Sequence, residues 1–210
     1  MKMSAIETAV CSCDSIGRTD LRQCPIDHHL WLGDRRLTSI GSIIRRFFPM
    51  DPSISQDVLD NAADRGKATE TLFNQYVMGN LRTIPAGTRQ DAVLLFYKLQ
   101  EWFDKQNIRK VEVQVLLGSE DIGGVLDYRF DGRVVDLKCT SKVEESHRFQ
   151  VAAYYDLDGN EGEDPAILHV TERNQNAKLH VLSPADRNDW RTMLAGWRML
   201  NRRGAFKETR

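Results

Sequence analysis

The chain has 210 residues, with 29 Lys and Arg against 30 Asp and Glu and a net charge of −1. A hydrophobic share of 41% and a charged share of 28% are ordinary for a globular protein, and the length suits one domain with a substantial core. Near-neutrality gives no global pull toward nucleic acid, since phosphate binders usually carry a basic excess. No apolar run approaches the roughly 18 to 20 residues that cross a bilayer. The first ten residues lack an apolar stretch with a small-residue cleavage site, so the expected location is intracellular and cytoplasmic.

Residues 1–27 show no clear periodicity and read as an N-terminal extension ahead of a single domain over 28–210. Gly33-Asp34 separates Leu30-Trp31-Leu32 from Arg35-Arg36-Leu37, a short hairpin. Thr38 or Ser39 can cap a helix over 40–48 that Pro49 stops, and Ser53 or Ser55 opens a longer one through Met78. Thr88 caps a third helix, carrying Val93, Leu94, Phe96, Tyr97, Leu99, Trp102 and Phe103 at helical spacing. The period then becomes two. Strands are expected over 111–116, 125–130 and 133–138, a helix over 144–157, strands over 166–171 and 178–182, and a final helix begun by Ser183 or Asp186. The order from residue 88 is α-β-β-β-α-β-β-α, which packs as a mixed sheet covered by helices.

Asp131-Gly132 between the second and third of these strands is a strong two-residue hairpin signal. In such a hairpin the numbers of opposed residues keep a constant sum, so Asp127 falls opposite Asp136. Facing side chains of this kind have Cβ atoms about 4.5 to 5.5 Å apart. Lys138 lies two residues beyond Asp136 and shares its face. The other face pairs Leu126 with Leu137 and Tyr128 with Val135, and its burial pins the register. Two opposed carboxylates raise each other's proton affinity unless a positive charge intervenes. A divalent cation is the usual compensation, and oxygen-only ligands favour Mg²⁺ or Mn²⁺ over zinc. Taken alone, the hairpin is equally compatible with a solvated Asp-Asp-Lys face held by an ordinary ion pair.

Glu112, then Gly124-x-x-Asp127, then Asp136-Leu-Lys138, then Gln150-x-x-x-Tyr154 resembles the core of the PD-(D/E)XK nuclease superfamily, in its RecB-type and lambda-exonuclease-type branch. Arg65-Gly66-Lys67-Ala68-Thr69-Glu70 resembles the first-helix motif of that branch, and His28 through Ser39 resembles the opening segment of phage-type members. The likeness spans roughly 28–182. It implies an α/β fold of restriction-endonuclease type, with an αβββαβ core, a mixed central sheet flanked by helices and additional N-terminal helices. It further implies Mg²⁺- or Mn²⁺-dependent hydrolysis of DNA phosphodiesters, of exonuclease kind, in replication, recombination, repair or defence. Asp127 and Asp136 would ligate the metal together with the Leu137 carbonyl. Lys138 would position or activate water, and Glu112 would be a further acidic ligand or its partner. Gln150 and Tyr154 would meet the DNA backbone or orient the site. Glu70 stands where many members carry a histidine, and would replace that ligand or alter a second metal position. No proline precedes Asp127.

A local basic lining is expected to hold DNA, with Arg65, Lys142 and Arg148 as candidates. Cys11-x-Cys13, Cys24 and His28 have the residue types of a zinc site, although free thiols are the simpler reading and the fourth cysteine, Cys139, sits beside Lys138. Two other functions stay open from sequence: a DNA-binding or interaction protein that has lost catalysis on the same fold, and a zinc-binding adaptor.

Overall fold

The computed structural model describes residues 20–25, 27–159 and 162–205. Three short strands open it: β1 (Leu21–Gln23), β2 (Leu30–Leu32) and β3 (Arg35–Arg36) form an antiparallel sheet in that order. Gly33 takes the positive φ that its turn requires. β1 falls inside the stretch expected to be an extension, yet it pairs Leu21 with Leu32 and Gln23 with Leu30. Cys24 is buried just beyond it, while Cys11 and Cys13 lie outside the described residues. Strand β4 (Thr38–Ser39) leads into helix α1 (Ile40–Phe47), which Ser39 caps by accepting from the Ser42 amide at 3.1 Å.

Helices α2 (Gln56–Val77) and α3 (Gln90–Asp104) follow. Thr88 was the expected cap of α3, but its hydroxyl donates to the Pro85 carbonyl at 2.7 Å and Arg89 takes the cap position. The strands β5 (Val111–Gly118), β6 (Ile122–Phe130) and β7 (Arg133–Lys138) come next, then helix α4 (Glu145–Asp158), strands β8 (Ala166–His169) and β9 (Lys178–Val181), and helix α5 (Pro184–Arg202). The main sheet runs β4-β6-β7-β8-β9, with β5 on the other edge of β6. It is mixed: β4–β6 and β7–β8 are parallel, the rest antiparallel.

Helices cover both faces, as amphipathic elements flanking a sheet must. On one face Ile40, Ile43, Val151, Tyr154, Trp190 and Trp197 pack over Leu126 and Val134. On the other, Leu72, Phe73, Leu95, Phe96 and Leu99 pack over Tyr128, Val135, Leu137 and Leu168. This is the α/β architecture with flanked mixed sheet that the sequence implied. Among the described residues no helix is long and apolar enough to cross a membrane.

The Asp131-Gly132 turn has both residues at positive φ, as a two-residue hairpin of this twist demands, and the expected register holds for Phe130↔Arg133, Arg129↔Val134 and Tyr128↔Val135. There the ladder ends. β5 occupies one edge of β6 at both ends of the strand, so β4 and β7 share the opposite edge, β4 at Ile122 and Gly123 and β7 from Tyr128 onward. Residues 124–127 face a gap between them. Leu126 and Leu137, expected as a pair, belong to opposite helical layers, because β6 changes face between Tyr128 and Leu126 while Val135 and Leu137 of β7 stay on one face.

Candidate metal centre and nucleic-acid interface

Asp127 and Asp136 stand at the mouth of that gap. The Asp127 carboxylate spans it, Oδ2 accepting from the Leu137 amide at 2.8 Å and replacing the backbone acceptor that the parted ladder no longer supplies. Asp136 is held on β7 by parallel pairing with Ile167 of β8 and is 1% exposed. Lys138, on the same face, places Nζ 2.5 Å from Asp136 Oδ2. Burial pushes the Asp127 carboxyl well above the usual carboxylate range, and the neighbouring Asp136 charge pushes it further. Burial likewise raises Asp136, against the pull of Lys138. Lys138 loses hydration, which alone would lower its pKa, but the Asp136 and Asp127 charges outweigh this and hold it as an ammonium.

Glu70 reaches the same cleft from α2. Burial and then the Asp136 charge raise its pKa, and it feels Lys138 as well. Its Oε1 accepts from Gln114 Nε2 at 2.6 Å. The stretch after Lys138 is anchored from three sides. Lys138 O accepts from the Val170 amide at 3.0 Å, Thr140 O meets His169 Nε2 at 2.8 Å, and Cys139 O accepts from Arg65 Nη2 at 3.4 Å. Burial raises the Cys139 thiol to about 12, so it stays protonated.

The residues present fit a divalent cation. Asp136 Oδ1 is buried without a donor, a deficit that ordinarily costs about 1 to 3 kcal/mol and more for a charged group. Three acids share the charge of one lysine, and the donor set is hard oxygen. Among the described residues no three His, Cys, Asp or Glu side chains converge on one ion position. Asp127, Asp136 and Glu70 are instead linked through their charges, Asp136 acting on both of the others. The lack of such a trio leaves Cys24 and His28 without a third described ligand, and any zinc site with Cys11 and Cys13 lies outside the described residues.

Gln150 and Tyr154 are brought to the site by α4. Gln150 Nε2 donates to the Tyr154 hydroxyl at 3.0 Å, one helical turn apart. Tyr154 is 5% exposed, and burial followed by the Asp136 charge raises its pKa. Its ring lies against Gly124, where an added Cβ would lie 2.5 Å from Tyr154 Cε1 and 3.1 Å from Ile40 Cδ1. That is the physical reason for glycine in Gly124-x-x-Asp127. Gly124→Ala is expected to displace the ring and destabilise the fold by about 1 to 3 kcal/mol, the usual cost of overpacking. A melt within a degree of the parent would show that the ring is not wedged there.

Glu112 lies apart from this centre. It does not join the two aspartates; its carboxylate pairs with Lys110 at 2.6 Å and with Arg129, and the Lys110 hydrogen bond holds its pKa below the usual range. The reason is register. Val113↔Tyr128 and Val115↔Leu126 are neighbouring pairs, so Gln114, not Glu112, lies across from Asp127. Gln114 is the site residue that the sequence did not reveal.

The expected basic lining is also redistributed. Arg65 pairs with Glu172 at 2.7 Å, Arg148 with Asp186 and Lys142 with Glu144, each at 3.3 Å. A cavity of about 700 Å³ adjoins the site, lined by Gly124, Gln150 and Tyr154 together with Ser39, Ser42, Arg36, Arg45 and Arg46.

No family model matches the chain, and no curated protein matches it. Among solved structures, a presumed exonuclease from Eubacterium rectale is 14% identical over 75% of this chain and 77% of that one, with a TM-score of 0.51. An alkaline exonuclease from Laribacter hongkongensis is 12% identical over 80% of this chain and 93% of that one, with a TM-score of 0.39. The first likeness is one of fold: the chain has the exonuclease-type α/β fold that its motifs resemble.

Proposed function

We propose that the protein is a Mg²⁺- or Mn²⁺-dependent deoxyribonuclease acting on DNA as an exonuclease, in phage-type replication, recombination, repair or defence. The observation that carries this is the buried Asp127–Asp136 pair beside Lys138 at the gap in the β6 edge. Asp127, Asp136 and the Leu137 carbonyl would hold the cation. When bound it supplies charge stabilisation at the phosphoryl centre and a more acidic water. Lys138 is held as an ammonium by the acids around it, which suits a donor to water or to a phosphate oxygen rather than a proton acceptor. Gln150 and Tyr154 orient the phosphate side of the cleft. The Arg36, Arg45 and Arg46 wall accounts for how a chain of net charge −1 can track a phosphate backbone.

The test is incubation of the purified protein with linear, circular and single-stranded DNA, with Mg²⁺ or with EDTA. Loss of linear DNA in Mg²⁺ alone is the expected outcome, with affinity falling steeply as salt rises, as phosphate-led binding requires. Salt-sensitive binding without cleavage would favour the inactive DNA-binding reading, and cleavage in EDTA would remove the cation from the mechanism.

A further inference from the structure

Gln114 has a backbone that strands do not normally tolerate. It sits at φ 54° in the interior of β5, an eight-residue strand. For a residue with a side chain this region costs on the order of 1 to 2 kcal/mol. The other described non-glycine residues with positive φ, His28 and Asp131, lie outside strands.

The distortion has a visible local effect. Residues two apart in a regular strand share a face, yet Val113 packs into the α2–α3 layer and Val115 into the α4–α5 layer. β6 makes the same exchange between Tyr128 and Leu126. The ladder skips one position in each strand, and those positions are Gln114 and Asp127. Irregularities of this kind re-aim side chains beside active sites. Here the re-aimed amide donates to Glu70 Oε1 at 2.6 Å.

One helical turn from Glu70, Asn74 is anchored by the buried Tyr128 hydroxyl, which donates to Asn74 Oδ1 at 2.5 Å. The hydrogen bond from Gln114 ties the Glu70 carboxylate of α2 to β5, while Asp136 and Lys138 act on that carboxylate through their charges.

We propose that Gln114 is a positioning residue for the metal centre, acting through Glu70: the left-handed kink in β5 aims its amide, and that amide holds the Glu70 carboxylate where its charge acts on Asp136 and Lys138 beside the proposed cation seat. The assignment rests on the nuclease reading above. A kink needed only to switch core faces would be served better by glycine, which adopts positive φ freely.

The experiment measures apparent Mn²⁺ affinity from melting temperature against Mn²⁺ concentration, for the full chain and its variants. Gln114→Gly should melt at or above the parent temperature yet bind Mn²⁺ about tenfold more weakly. Gln114→Leu, which keeps bulk but lacks the amide, should show the same loss of affinity with an unchanged melt. In a Glu70→Gln background, Gln114→Gly should cost no further affinity. Unchanged Mn²⁺ affinity in both Gln114 variants would overturn the assignment, as would an undiminished effect in the Glu70→Gln background. A parent protein whose melt ignores Mn²⁺ altogether would overturn the nuclease reading and this assignment with it, an outcome distinct from the other two.

Discussion

Lys138→Ala will abolish cleavage, with a fall on the order of 10³-fold, while the protein still takes up its cation. Removing one preorganised charge donor from an active site typically costs about 10² to 10³ in rate, and the Lys138 ammonium stands 2.5 Å from Asp136 Oδ2. The ligating oxygens belong to the carboxylates and survive the change. Its stability signature is equally specific. Lys138 is the cation whose charge acts on Asp127, Asp136 and Glu70 together, so the alanine variant leaves three buried or half-buried acids facing one another. Without added cation it should melt below the parent, and Mg²⁺ should raise its melting temperature by more than it raises the parent's. Nuclease assays and melts with and without Mg²⁺ on the same preparation decide the matter. Full cleavage by the variant would remove the lysine from the mechanism.

Asp136→Asn will behave in the opposite way. It removes a charged ligand, so cation affinity should fall at least about 100-fold, a loss that even outer-sphere changes can reach, and cleavage should fall with it. Without added cation the variant should nevertheless be more stable than the parent at neutral pH. Breaking a buried ion pair is usually costly because it strands the partner charge. Here Asp127 and Glu70 remain as counter-charges for Lys138, so relief of repulsion wins. The pH dependence follows from sign. Asp127, Asp136 and Glu70 have folded pKa values raised above their unfolded ones, so the folded state binds more protons. Cation-free stability should therefore fall as pH rises from the ordinary carboxylate range through the raised values, and Asp136→Asn should flatten that fall. A variant as pH-sensitive as the parent would place the titrating acids elsewhere.

Much of this was legible in the sequence because hairpin arithmetic and helical spacing are local. Asp131-Gly132 fixed the Tyr128↔Val135 register, and the motif order gave the positions of Gln150 and Tyr154 on α4. Glu70 was legible only through the family resemblance, since an acid on a long helix is usually solvated. Glu112 entered only through the family resemblance, and the sequence could not correct it because β5 and β6 join through Ser119-Glu120-Asp121, which carries no two-residue turn signature to set a register. The parting of β6 from β7 and the kink at Gln114 were invisible for a related reason. Period-two reasoning assumes an unbroken ladder, and the gap depends on β4 and β7 dividing one edge of β6, a contact between distant parts of the chain. Arg36, Arg45 and Arg46 line the same cavity as Tyr154, a neighbourhood that no local pattern in the sequence encodes.

Calorimetric titration of the full-length protein with Mn²⁺, beside Asp127→Asn and Asp136→Asn, tests the central claim most directly, because it asks whether the two carboxylates hold a cation without requiring the right DNA substrate. A saturable binding event in the parent that is lost in both variants is the predicted result. Binding that persists unchanged in both variants, or a parent that takes up no Mn²⁺ at millimolar concentration, would contradict it.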